Sequence, residues 1–384
     1  LIQAAALSFV IVLVIGGVLV LAAKLNFPEI GGGGDFLGAI NAIVIAGLGA
    51  LGVPILLDGV AVAALPLGAL AAIGWGMTWA TRSIVGTVDA ADVRRTALWG
   101  ARVALPFGML CWVAALVFRF RGAHPVSSDA LAALLVGAFW GALFGALGTV
   151  GARVSLRAWA RRAWHHYATR LAELRPALIG AAAALLALVA LGVGAMLLWF
   201  IIGLARDAPG RYFDAGDAFA YLVYVIAFLP NIVIAVVSVA FGAPVVAGAR
   251  VTLGGQVSET VREYSMWGWG GNDAPGVLMF LLLVPLLAGI TGGIVARRYE
   301  PDRLRFAEVV GLLSAIVAVT LTLGAWIGRA RLAGVVRSDG FGYVAVDVVL
   351  LFVLSFLAIG VTAALGWFLA ERPEVARRLS WLRT

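Results

Sequence analysis

Apolar residues run through this chain in long blocks closed by arginine, glycine or proline, and many blocks reach the roughly 20 helical residues that a bilayer core requires. Runs of that length lie at 1 to 23, 96 to 118, 129 to 150, 177 to 204, 276 to 296, 307 to 327 and 343 to 370, with 64 to 81 slightly short. The pattern predicts an all-α polytopic membrane protein with about eight transmembrane helices.

Two further apolar stretches are interrupted. Leu37 to Leu51 is shorter than a span and leads into GVPILLDGVAVA, where apolar residues on both sides of Asp58-Gly59 carry the signature of a tight β-hairpin. The stretch 219 to 241 contains Leu229-Pro230-Asn231. Proline lacks an N–H and crowds the preceding turn, so a kink or break is expected there. In lipid the freed carbonyls need a neighbouring helix, a side chain such as Asn231, or water.

The two interrupted stretches match each other. Asn41 precedes Gly52-Val53-Pro54 at the same spacing at which Asn231 precedes Gly242-Ala243-Pro244, and Ala50 matches Ala240. Each follows one long span and precedes a span, a basic loop and two more spans ending in a basic segment. We therefore expect two tandem parallel repeats. The first, 1 to 175, has four spans plus the broken element 36 to 64; the second, 176 to 384, has four spans plus the broken element 219 to 254.

Charge fixes the sidedness. Arg82, Arg94 and Arg95 correspond to Arg297, Arg298, Arg303 and Arg305, and the cluster from Arg153 to Arg175 corresponds to Arg372, Arg377, Arg378 and Arg383. If the broken elements crossed, equivalent loops would face opposite sides despite their like charge. The reading that keeps these arginines cytoplasmic makes both broken elements dip and return, with short hairpins on the outer face and both termini inside.

Composition agrees with the pattern. Of 384 residues 63% are hydrophobic and 12% charged, with mean hydropathy +1.04, so the solvent is lipid and the location a bacterial inner membrane. The net charge of +8 reflects loop arginines facing anionic headgroups, and no nucleic-acid partner is implied. Lys24 is the single lysine among 28 basic residues, which points to a GC-rich bacterium. The chain opens at Leu1 inside an apolar run, so a preceding cytoplasmic piece is expected and a cleaved signal peptide is not.

Chemistry-bearing motifs are sparse. Cys111 stands alone in an apolar run, and His124 and the His165-His166 pair lack the further ligands of a zinc site, so no metal or cofactor is expected. GGGG at 31 to 34 lacks the Lys-Ser/Thr of a P-loop. Asp347, about one turn into the last expected span, and Arg102 near the inner end of the third are both placed to reach headgroups. Trp159 and Trp164 sit in the basic linker, which reads as a helical extension or an amphipathic helix on the inner leaflet. Trp267 and Trp269 sit in an outer loop, as an aromatic belt or a partner contact.

GVPILLDGVAVAALPLG, FLPNIVIAVVSVAFGAPVVAG, a span containing VPLLAG, and LGAWIGRARLAGV together resemble the motifs of an actinobacterial family of polytopic membrane proteins that includes the cell-division protein PerM. Streptophobe-like proteins are also similar. The resemblance implies a membrane protein that assists envelope growth or division through contacts with divisome proteins. It implies no catalytic residues, and the segment RVTLGGQVSETVREYSMWGWGG departs from the family's pattern. Two functions follow as expectations. One is a non-enzymatic scaffold or stabiliser. The alternative is a small-molecule or lipid transporter with a site between the repeats, shaped by Asn41, Pro54, Asp58, Pro230, Asn231 and Pro244.

Overall fold

The structure is a computed structural model that describes residues 1–26, 36–57, 60–84, 93–120, 125–153, 168–207, 215–253, 256–264, 281–300, 302–328, 330–334 and 341–372. Long apolar runs become helices. The first part holds α1 (Ile2–Asn26), α2 (Phe36–Ala50), α3 (Leu67–Ile84), α4 (Val93–Ala101), α5 (Ala104–Val117) and α6 (Ala130–Arg153). The second holds α7 (Ala168–Asp207), α8 (Ala215–Ala240), α9 (Leu283–Tyr299), α10 (Phe306–Ile327) and α11 (Val348–Ala370).

Among the described residues seven stretches are long and apolar enough to cross a membrane: Ile2–Ala23, Arg95–Val117, Ala130–Gly151, Glu173–Leu198, Leu222–Ala240, Arg303–Ile327 and Val348–Ala370. The chain is a multi-pass membrane protein. The set differs from the expected eight. The segment expected at 64 to 81 is α3, diluted by Thr78, Thr81 and Arg82, and that expected at 276 to 296 contains the 17-residue α9, with 276–280 outside the described residues. Leu222–Ala240 joins the set because α8 is a single helix with Pro230 inside it, so of the kink or break expected there it is not broken. Proline cannot satisfy the carbonyl four residues back, that of Ile226. That oxygen lies against Gly68 of α3, so closely that a Cβ there would collide with it. A neighbouring helix with no side chain at the contact thus shelters the bare carbonyl, and the helix continues.

Small residues set the helix spacing elsewhere too. A Cβ on Gly16 of α1 would strike the Ile43 carbonyl of α2, and one on Gly293 of α9 would strike the Ala363 carbonyl of α11. In lipid, association rests on such close packing. Two cores result. Val12, Leu48, Ile73 and Phe107 anchor one in the first part; Leu188, Leu313, Ile359 and Trp367 anchor the other in the second. Helix α8 serves both: Ala227 belongs to the first core, Val233 and Val237 to the second.

The connecting segments at one end of the helices form a sheet. Its strands are β1 (Ile55–Leu57), β2 (Val60–Ala63), β3 (Val126–Ser128), β4 (Val245–Leu253), β5 (Gln256–Tyr264), β6 (Ala330–Gly334) and β7 (Phe341–Val346). The order is β3-β1-β2-β6-β7-β4-β5, with every pair antiparallel. The hairpin expected around Asp58-Gly59 is present as Leu57↔Val60, although Asp58 itself lies outside the described residues.

The all-α expectation holds for the body of the protein, and the short hairpins expected beside it are part of one seven-stranded sheet. Strand β2 pairs with β6 from Val60↔Gly334 to Ala63↔Arg331 and welds the hairpins together. The reason is physical: an isolated two-stranded hairpin is marginal, and each free edge exposes unpaired backbone groups. The last span, expected from 343, also starts later, because 341–346 is strand β7.

At the opposite end of the second part, charges pair. Glu371 receives Arg303 at 2.8 Å and Arg297 at 3.2 Å, and Glu300 receives Arg305 at 2.9 Å. Arg305 also donates to the Glu173 carbonyl, which ties the start of α7 to this end.

Candidate functional site

The broken elements of the sequence become two turns of the same construction. After α2, Gly52 takes φ +88°, its N–H donates to Gly49 O at 2.8 Å, and Val53 N donates to Leu48 O at 3.1 Å. After α8, Gly242 takes φ +85°, its N–H donates to Val239 O at 2.8 Å, and Ala243 N donates to Ser238 O at 3.0 Å. Both are glycine C-caps of the Schellman type, which need a residue that tolerates positive φ.

The prolines then carry the chain out of the helix and offer a carbonyl. Pro54 O accepts from Asp129 N at 3.1 Å and Pro244 O from Asp347 N at 3.3 Å. Both aspartates are caps. Asp129 Oδ1 accepts from Ala132 N at the start of α6, and Asp347 Oδ1 accepts from Val349 N and Leu350 N at the start of α11. Asp347 therefore precedes its helix, where a position one turn inside was expected. An acidic residue directly before an apolar run is an N-cap signal, and it identifies this role from sequence.

The asparagines differ. Asn41 makes one hydrogen bond, Nδ2 to Arg119 O at 3.3 Å. Asn231 makes three: Nδ2 donates to Leu65 O at 2.9 Å and to Gly328 O at 3.1 Å, and Oδ1 accepts from Leu67 N at 3.0 Å. Leu65 and Leu67 lead from β2 into α3, and Gly328 ends α10 just before β6. Asn231 thus closes the foot of the β2–β6 pair, where the two strands part to enter different helices. Nothing in the local sequence names Leu65, Leu67 or Gly328 as its partners, since they lie 97 to 166 residues away.

Beside this clasp lies a cavity of about 360 Å³ between α8, α10 and the sheet, lined by Phe228, Ile232, Ala235, Ala325, Val346 and Asn231 among others. Among the described residues Asn231 is the only polar side chain in its lining. Val245, which follows Pro244, reaches the same cavity, and so does Ala64 from the first part. The structure therefore brings Asn231 together with the chain around Pro230 and Pro244, while Asn41 and Pro54 belong to the other turn. Asp58, Trp159, Trp164, Trp267 and Trp269 lie outside the described residues.

Among the described residues no three His, Cys, Asp or Glu side chains gather as metal ligands, and the Cys111 thiol is buried and free. Comparisons with known protein families, with curated proteins and with solved structures found no match.

Proposed function

We propose that the protein is a non-enzymatic integral membrane scaffold or stabiliser that presents its sheet to partners in cell-envelope growth or division. The observation that carries this reading is how Asn231 is spent. Both its N–H groups and its carbonyl bind backbone that holds the sheet to the helices, and the other described residues lining the cavity beside it are apolar. A solute site near the midplane is expected to offer unspent polar groups or half-helix ends. The joined hairpins supply a platform instead, and the resemblance of the apolar motifs to the family containing PerM points the same way.

In this reading the chain is built as two parallel repeats meeting at the β2–β6 seam. Elements α2 and α8 enter from the sheet side and return to it, so α3 and α9 cross and the total is eight crossings. The sheet faces outward, and the arginine-rich end with both termini faces the cytoplasm of a bacterial inner membrane. Supporting this, α7 starts at the charged end beside Arg305, whereas α8 finishes at the sheet.

Two measurements test it. Cysteines placed at Thr252 and Tyr299 in a Cys111→Ser background should react from outside with an impermeant reagent at the first position alone. In proteoliposomes the protein should move no solute, while replacing Glu259 and Arg262 of β5 should abolish complementation of a deletion strain at normal protein level. Saturable flux lost in Asn231→Ala would establish the alternative instead, a small-molecule or lipid transporter working through the cavity.

A further inference from the structure

We propose that a second copy of this chain docks head to tail, repeating between molecules the joint that holds the two parts of one molecule together. The inference rests on the two-repeat reading of the chain and is independent of the scaffold role. The joint has two unlike sides. The second part contributes α8 and β6; the first contributes α1 and α3, against which α8 packs, and β2, which pairs with β6. A joint between unlike surfaces leaves one of each unused at the ends.

The strand order shows which surfaces these are. The second part runs β6, β7, β4, β5 across the sheet, and the first runs β3, β1, β2 with Phe120 bridged to Val126 in the place of β6. Among the described residues β5 pairs with β4 alone and Phe120 with Val126 alone, so the sheet is open at both ends, and open edges accept a further strand. The helices match. Helix α2 packs on α1, α5 and β3, all within its own part, whereas α8 also packs across the joint. At the spacing that sets Asn41 on Asn231, Leu37 answers to Ala227. Ala227 is 4% exposed, within the core of the first part, and Leu37 is 69% exposed. On the receiving side Leu283 opens α9 as Leu67 and Gly68 open α3, and it is 46% exposed.

Lipid solvates apolar surface of this kind, so exposure alone calls for no partner. Asn41 does. Asn231 spends one donor within its own part, at Gly328 O, and its other donor and its acceptor across the joint, at Leu65 O and Leu67 N. Asn41 spends one donor within its own part, at Arg119 O, and among the described residues its second N–H and its Oδ1 have no partner. The groups left over are the two that Asn231 uses across the joint. Backbone of a neighbouring copy would take them up, as polar side chains do between membrane helices.

The test uses the whole chain in native membranes, in a Cys111→Ser background. Two differently tagged copies are co-expressed, one with Leu37→Cys and the other with Leu283→Cys, and treated with a short bismaleimide. A product carrying both tags is expected. Its yield should stand well above that of two Leu37→Cys copies, of two Leu283→Cys copies, or of Leu37→Cys with Val361→Cys on the exposed face of α11. Asn41→Ala in the Leu37→Cys copy should lower the mixed product severalfold and leave thermal unfolding of the purified chain unchanged. Like pairs that link as well as the mixed pair would overturn the proposal, because a head-to-tail joint never sets like against like. Linkage to other proteins alone, or a mixed product indifferent to Asn41→Ala, would overturn it too. Such a failure leaves the scaffold reading to its own complementation and flux measurements.

Discussion

The turn after α2 and the turn after α8 share every local feature and differ in what they hold. Both end in a glycine at positive φ, both pass a proline carbonyl to an aspartate N–H, and both aspartates cap the last helix of their part. Yet Asn41 reaches one carbonyl at 3.3 Å, while Asn231 reaches three groups on two other elements. The local motif therefore specifies the turn, and the neighbours specify its work. Strand β2 has β6 beside it to be clasped; β1 has only the three-residue β3 on its far side.

The sharpest way to break the comparison is to truncate both asparagines. Asn231→Ala leaves two carbonyls and one N–H without partners and should cost about 3 kcal/mol, whereas Asn41→Ala should cost under about 0.5 kcal/mol. Alkylation of the single buried thiol, Cys111, during thermal unfolding in one detergent reads both variants. Equal losses would show that the clasp has no special weight. Next in size, Gly68→Ala pushes α3 off the Ile226 carbonyl and should cost roughly 1–3 kcal/mol in the same assay, by overpacking at a contact that cannot relax.

The shared features should respond alike. Gly52→Ala and Gly242→Ala each place a side chain at positive φ, at a cost of about 1–2 kcal/mol. The first should be slightly worse, because its Cβ would come within 2.8 Å of Leu65 Cδ1. Smallest are the caps. Asp347→Ala loses two accepted bonds and Asp129→Ala one, for about 1 kcal/mol or less, and Asp→Asn at either site should recover most of it. Hydrogen exchange at the first turns of α11 and α6 would show whether the loss stays local.

What could be read in advance follows from range. The apolar runs, the Gly-Val-Pro and Gly-Ala-Pro exits and the hairpin at Asp58-Gly59 are encoded within a few residues each, and they are legible for that reason. The choice between a kink and a break at Pro230 was not legible because it depends on Gly68, far away in sequence, whose missing side chain leaves room for the bare carbonyl of a continuous helix. The single sheet was hidden for the same reason. Val60 to Ala63 contains nothing that names Arg331 to Gly334 as its partner. Asn231 was visible as the residue that might relieve the proline, but its carbonyl partners lie at Leu65 and Gly328 and not in its own helix.

The seam between β2 and β6 also sets an order of events in the cell. When Ala63 is added to the chain, its partner Arg331 is still about 270 residues from being made, a delay of roughly 15 to 50 s at ordinary rates of synthesis. Through that interval the edge of β2 stands open on a nascent chain whose first helices are already in the bilayer. A chain stopped anywhere before β6 keeps that edge bare and leaves Leu65 without Asn231 or without Gly328 behind it, so truncated products should be recognisable to quality-control proteases at the membrane. The last strands translated lock the first ones made.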